Sequence, residues 1–124
     1  MVPMSLTATH QVTRTSTYSA MAHLHERGFR VVRIAHRRDV FPVPFHLIAW
    51  RDPDHLLCIK IDRMAGRKGR FSVQEELLHL SALVRYGYYP GELQYWIRER
   101  ESWTRYRVLA GGWVQISEAD NAIR

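Results

Sequence analysis

Lys60 and Asp62 stand two residues apart at the end of the apolar run Leu57-Cys58-Ile59-Lys60-Ile61-Asp62. In a strand that spacing puts both side chains on one face, about 6–7 Å apart. Such a pair can take a phosphate through the lysine. It can equally close on itself as an internal ion pair, the commoner outcome where both charges lie on a covered face. The unperturbed imidazole pKa lies near neutrality, so His46 could act as a base or a ligand. A lone histidine in a strand is more often a hydrogen-bonded structural residue. The other histidines give no metal signature: His23 and His25 are two apart in a helical stretch and point to different faces. No Cys/His spacing suggests zinc. Cys58, the single cysteine, reads as a small buried hydrophobe. Neither a metal ligand set nor a cofactor is expected from these residues.

The charge balance favours an anionic ligand. The 124 residues carry a net charge of +6, and 16 of the 18 basic residues are arginine. Guanidinium forks match phosphate oxygens in a bidentate way, although genomic base composition can also favour arginine over lysine. The segment from Arg27 to Arg38 holds five arginines, and that from Lys60 to Arg70 holds five basic residues against one acid, Asp62. Candidate phosphate contacts are therefore Arg33, His36, Arg37 and Arg38 in the first cluster, and Arg63, Arg67, Lys68 and Arg70 in the second. The alternative for both is a solvated charge run. Tyr86, Tyr88, Tyr89, Tyr95 and Trp96 could stack on bases, but aromatics so placed more often fill a core or a dimer interface.

The elements that must position these residues follow from pattern. Tyr18, Met21 and Leu24 lie on one face of a helix over about Thr17–Arg27, capped by Ser16 or Thr17 and stopped by Gly28. A strand over Phe29–Ile34 follows. After Pro42 and Pro44 come strands over Phe45–Trp50 and His55–Asp62, joined as an antiparallel hairpin by a somewhat long loop at Arg51-Asp52-Pro53-Asp54. Met64–Phe71 reads as a basic, mobile loop. Ser72-Val73-Gln74-Glu75 matches a capping box, opening a helix over Val73–Tyr86. Its stripe is Val73, Leu77, Leu80 and Val84, widened by Leu78 and Leu83, and Gly87 and Pro90 end it. Strands over Glu92–Arg98 and Trp103–Leu109 close the domain, with Gly111-Gly112 breaking the second and Trp113–Ile116 as a short extension. A strand before the second helix and one after it can lie parallel through a right-handed crossover, giving a mixed sheet flanked by helices.

The length suits one domain, and 46% apolar residues suffice for a core. We expect a flexible arm over 1–15, a single domain over 16–116 and a polar tail over 117–124. No apolar run reaches the roughly 20 residues that span a membrane. The first fifteen residues lack the apolar stretch of a signal peptide. A cytoplasmic protein without membrane contact is expected.

The runs Gly28-Phe29-Arg30-Val31-Val32-Arg33, His46-Leu47-Ile48-Ala49 and Leu57-Cys58-Ile59-Lys60-Ile61-Asp62 resemble the core of archaeal Holliday-junction resolvases of the PD-(D/E)XK nuclease superfamily. The resemblance continues through the second helix and Tyr86-Gly87 into the strand with Trp103, covering roughly Thr17–Val108. It implies a restriction-endonuclease-like α/β fold with a mixed five-stranded sheet flanked by helices, a homodimer, and DNA rather than RNA as partner. In that family a glutamate on the first helix, an aspartate opening the second strand and a Glu-X-Lys on the third hold magnesium, which activates water and stabilises phosphate charge. Those places fall near Thr17, on His46 and on Lys60-Ile61-Asp62, where the charges are reversed. A second alignment sets the motif on Cys58-Ile59-Lys60, which keeps the lysine and loses the glutamate.

A divalent cation about 4 Å from a protonated lysine is opposed by roughly 8 kcal/mol at an effective dielectric of about 20. The resemblance thus implies a degenerate site at His46, Lys60 and Asp62, and a nucleic-acid-binding protein that cleaves poorly or not at all. Two alternatives stand beside it. One is an active magnesium-dependent endonuclease or resolvase with a rearranged site, using Asp62 with acids such as Asp39 or Glu75. The other is a non-enzymatic assembly or interaction protein that kept only the fold.

Overall fold

A glycine that stops a helix and turns the chain straight into a strand sets the first layer. In the computed structural model, which describes residues 16–34, 45–63, 69–87, 89–100 and 102–117, residues 16–26 are helical (α1). Gly28 has φ 85°. Its N–H donates to the His25 carbonyl and that of Phe29 to the Leu24 carbonyl, each at 3.0 Å, the two bonds of a left-handed helix stop. Leu24 and Phe29 meet in the core beneath it. Ser16 and Thr17 are already inside the helix, so neither is its cap.

Among the described residues six strands form one sheet in the order β1-β2-β3-β4-β5-β6. They are β1 (Arg30–Arg33), β2 (Leu47–Asp52), β3 (His55–Arg63), β4 (Glu92–Glu99), β5 (Ser102–Leu109) and β6 (Gly112–Ile116), with helix α2 (Gly69–Arg85) between β3 and β4. β3 and β4 are parallel, as the intervening helix led us to expect. The other neighbours are antiparallel.

Four sequence expectations are corrected. The sheet has six strands, not five. Leu109 pairs with Gly112, so Ala110-Gly111 is a two-residue reversal and the supposed extension is a full strand,. The β2–β3 loop is short, because Asp52 pairs with His55 across Pro53-Asp54. Helix α2 begins at Gly69, so Ser72 lies within it and cannot cap it. Serine costs little inside a helix, and once a turn exists propagation is favourable. Leu78 is 61% exposed on α2 and widens no apolar stripe. Residues 1–15 and 118–124 lie outside the described residues, as do His36, Arg37, Arg38, Asp39, Arg67 and Lys68.

Strand alternation splits the core into two. Leu47, Ala49, Leu57, Ile59, Ile61 and Trp96 face α1 and pack with Ala20, Leu24 and Phe29. Cys58, Leu93, Tyr95, Ile97 and Val108 face α2 and pack with Leu77 and Leu80. Burial pushes the Cys58 thiol up to about 11, despite a backbone hydrogen bond from Gly91 that opposes the shift. No helix among the described residues is long and apolar enough to cross a membrane.

A polar chain threads the α1 face along β4. The Trp96 indole donates to Gln94 Oε1 at 2.9 Å, and Gln94, fully buried, donates to Glu92 Oε2 at 2.7 Å. Glu92 also meets Arg107 at 3.3 Å and His55 at 3.0 Å. Burial alone would raise the Glu92 pKa, but bonds from Gln94 and His55 and the Arg107 charge outweigh it, and the carboxyl titrates below its usual range. A carboxylate held lower in the folded than in the unfolded chain adds stability above the unfolded value of about 4.3, and that stability is lost as pH falls through the folded value. We expect Glu92→Gln to be less stable than the parent at pH 7. The gap, read from urea midpoints, should narrow below about pH 4. An equal gap at both pH values would contradict this.

Candidate functional site

β2 and β3 bring His46, Lys60 and Asp62 to one face, the one covered by α2. His46 is a structural link. Its N–H donates to the Ile59 carbonyl and its carbonyl accepts from Ile34, both at 2.8 Å. Its Nδ1 accepts the Ile61 N–H at 2.9 Å. The imidazole therefore takes a β3 amide just beyond the end of β2, and the neutral ring keeps its proton on Nε2.

Lys60 is not poised toward solvent. Its ammonium lies 3.4 Å from Asp62 Oδ2 and 3.5 Å from Glu76 Oε2 on α2, with 19% of the side chain exposed. The Tyr95 hydroxyl donates to the same Asp62 oxygen. Burial and then that carboxylate push the Tyr95 hydroxyl well above the ordinary tyrosine range. Lysine between two carboxylates compensates its own neighbours, which is the ion-pair arrangement weighed above. Glu76, rather than Glu75, is the acid that α2 delivers, because Glu75 points outward. Thr17 is buried on α1 and so belongs to the opposite side of the sheet. Thr17 therefore does not share a face with His46, Lys60 and Asp62.

The basic residues sort differently. At the end of the sheet where β3 and β4 finish, Arg63 is the register partner of Arg98, and Arg98 in turn is the partner of Trp103 on β5. Alternation from Ile61 and Trp96 puts this row on the α1 face. Arg63 is exposed and Arg98 half-buried. The Arg98 guanidinium rests 5.0 Å from the Trp103 ring centroid. Among the described residues neither arginine has an ion-pair partner. Arg33, exposed on the same face of the sheet but level with Ile59 in the middle of β3, lies 5.8 Å from the Tyr18 ring on α1. Two predicted contacts, Arg33 and Arg63, thus share a sheet face. Arg98 and Trp103 were not singled out from sequence as contacts. The alternation Trp103-x-Arg105-x-Arg107 on β5 was the available signal for a basic face. Both of its arginines are engaged: Arg105 is buried with its guanidinium 5.6 Å from the Trp96 ring, and Arg107 is paired with Glu92. Arg70 falls in the first turn of α2.

No protein-family model matches the chain, and no curated protein matches it. Among solved structures the chain is similar to the 1.6 Å structure of Hjc, a Holliday junction resolvase from the archaeal hyperthermophile Archaeoglobus fulgidus. The two are 18% identical, the match covers 86% of this chain and 89% of that one, and the TM-score is 0.49.

Proposed function

We infer that this protein binds nucleic acid, DNA in preference to RNA, on a resolvase-like nuclease fold of the PD-(D/E)XK type, and that it cleaves poorly or not at all. The observation that carries the reading is the adjacent pair Arg63 and Arg98. Like charges side by side on neighbouring strands repel and weaken the sheet. A phosphate between two guanidinium forks removes that repulsion and gains charge-assisted hydrogen bonds. Arg33 adds positive charge to the same sheet face, and the net charge of +6 draws a polyanion toward it,. Lys60 supports the second half of the reading, since a cation between Asp62 and Glu76 opposes a magnesium ion there,. The reading includes a cytoplasmic homodimer, which sedimentation of the purified protein would check.

Filter binding of linear duplex and four-way junction at several salt concentrations tests it. Log affinity should fall linearly with log salt. Arg63→Ala with Arg98→Ala should flatten that slope by about 2, roughly one per arginine. No binding, or a slope the double variant leaves unchanged, would sink it. A second reading has one observation in its favour: Lys60 draws Asp62 and Glu76 to within 3.5 Å of one atom, so two acids and a lysine do meet. Junction cleavage with magnesium or manganese that Asp62→Ala abolishes would replace the binding-only reading with a rearranged nuclease.

A further inference from the structure

Beside α1 a cleft of about 460 Å³ opens against the β4–β5 hairpin, lined by Ser19, His23 and Glu26 from the helix and by Arg98, Ser102 and Trp103 from the strands. Its size lies within the range of small-ligand sites, about 300–1,000 Å³. Neither the Lys60 cluster nor the paired arginines account for its other walls.

The chemistry of those walls is specific. Trp103 is half-buried and held from behind, with its ring 5.4 Å from that of Trp96, which in turn meets the His23 ring at 5.6 Å. It is a fixed flat platform. The Arg98 guanidinium lies over that ring, 5.0 Å from its centroid, so a base that stacks on Trp103 must displace it toward the rim, where it can meet the phosphate of the same strand. Glu26 supplies a carboxylate at the exposed rim. It stands at the last helical residue of α1, where the helix dipole opposes an acid, so its charge does nothing for the helix. A platform, a guanidinium and an acceptor at one opening suit a flat heterocycle bearing N–H donors. An amino group such as cytosine N4 donates to a carboxylate in this way.

Arg98 belongs both to this cleft and to the arginine pair. We propose that the cleft receives an unpaired base from a strand whose phosphate rests on Arg63 and Arg98. The proposal rests on the nucleic-acid-binding reading above and adds that the preferred partner has unstacked bases. A paired base cannot enter, because its faces are stacked and its donor edge is engaged. Trp103 provides the stacking surface and Glu26 selects amino-bearing bases.

Fluorescence anisotropy with a labelled single strand and the duplex of the same length, at one salt concentration, tests this. The parent should bind the single strand about tenfold more tightly, the scale of one base–aromatic stack. Trp103→Leu, checked for folding by circular dichroism, should bring the ratio to about one. Glu26→Gln, a change at an exposed position that leaves the fold intact, should remove a preference for oligo-dC over oligo-dT. Arg63→Ala should weaken both forms together. Equal affinity of the parent for both forms, or a ratio that Trp103→Leu leaves intact, would overturn the cleft assignment and leave the binding reading standing. Failure to bind either form would overturn both.

Discussion

Gly91→Ala is expected to lower stability by about 3 kcal/mol, the upper end of what overpacking usually costs. A Cβ at this position would lie 2.2 Å from the Leu56 carbonyl oxygen and 2.9 Å from its carbonyl carbon. Both are backbone atoms of β3, so no side chain can swing away to make room. The residue precedes β4, whose first rung pairs Glu92 with Leu57. Relief of the clash must move the start of one strand away from the other, at the seam where the two halves of the sheet join. At a typical urea dependence of about 1–3 kcal/mol per molar, the midpoint should fall by about 1–3 M. Gly111→Ala is the control, since nothing lies within 4 Å of a Cβ there, and its midpoint should stay close to the parent's. Equal midpoints for both variants would mean that the seam opens without cost.

Trp96→Ala should be at least as damaging, at about 3–5 kcal/mol. Trp96 is fully buried and packs in the cluster beneath α1. It also begins the chain of hydrogen bonds that runs through Gln94 to Glu92. Removing the indole leaves a cavity and takes a donor away from a fully buried amide. The loss approaches the whole stability of a typical small domain, about 5–15 kcal/mol. Trp96→Phe separates the contributions, because it keeps most of the ring and deletes the N–H. It should cost about 1–3 kcal/mol for the unsatisfied Gln94 oxygen. A Trp96→Phe protein as stable as the parent in thermal unfolding would show that the polar chain contributes nothing.

Much of the fold was legible because its signals are local. The β-branched runs Val31-Val32 and Ile59–Ile61, the left-handed stop at Gly28 and the Leu77/Leu80 stripe each announce an element within one window of sequence. The errors arose where two local meanings compete. Gly111-Gly112 signals both a strand end and a tight reversal, and only the pairing of β6 with β5 decides between them. Ser72-x-x-Glu75 signals a cap, yet the same residues are tolerated one turn inside a helix that starts at Gly69. The candidate site was less legible. Lys60 and Asp62 could be placed on one face from their spacing, and an ion pair between them was the expected outcome. Glu76 completes the cluster from a separate element. The adjacency of Arg63 and Arg98 depends on the register of two parallel strands with a helix between them, and register is set by burial rather than by either sequence alone.

The β3–β4 pairing also governs how the chain reaches this structure. All paired strands are consecutive in sequence, and three of the other four pairs are joined by two-residue turns, whereas Leu57 must find Glu92 across the whole of α2. Loop-closure entropy is spent before that rung returns any contact. The first three strands with α1, and the last three strands, are local assemblies that can form early and separately. Their joining is the slow event, the step at which the sheet becomes one object. Gly91 sits at that joint, so its substitution should slow refolding as well as destabilise the product. Changes in the β5–β6 hairpin should act mainly on unfolding.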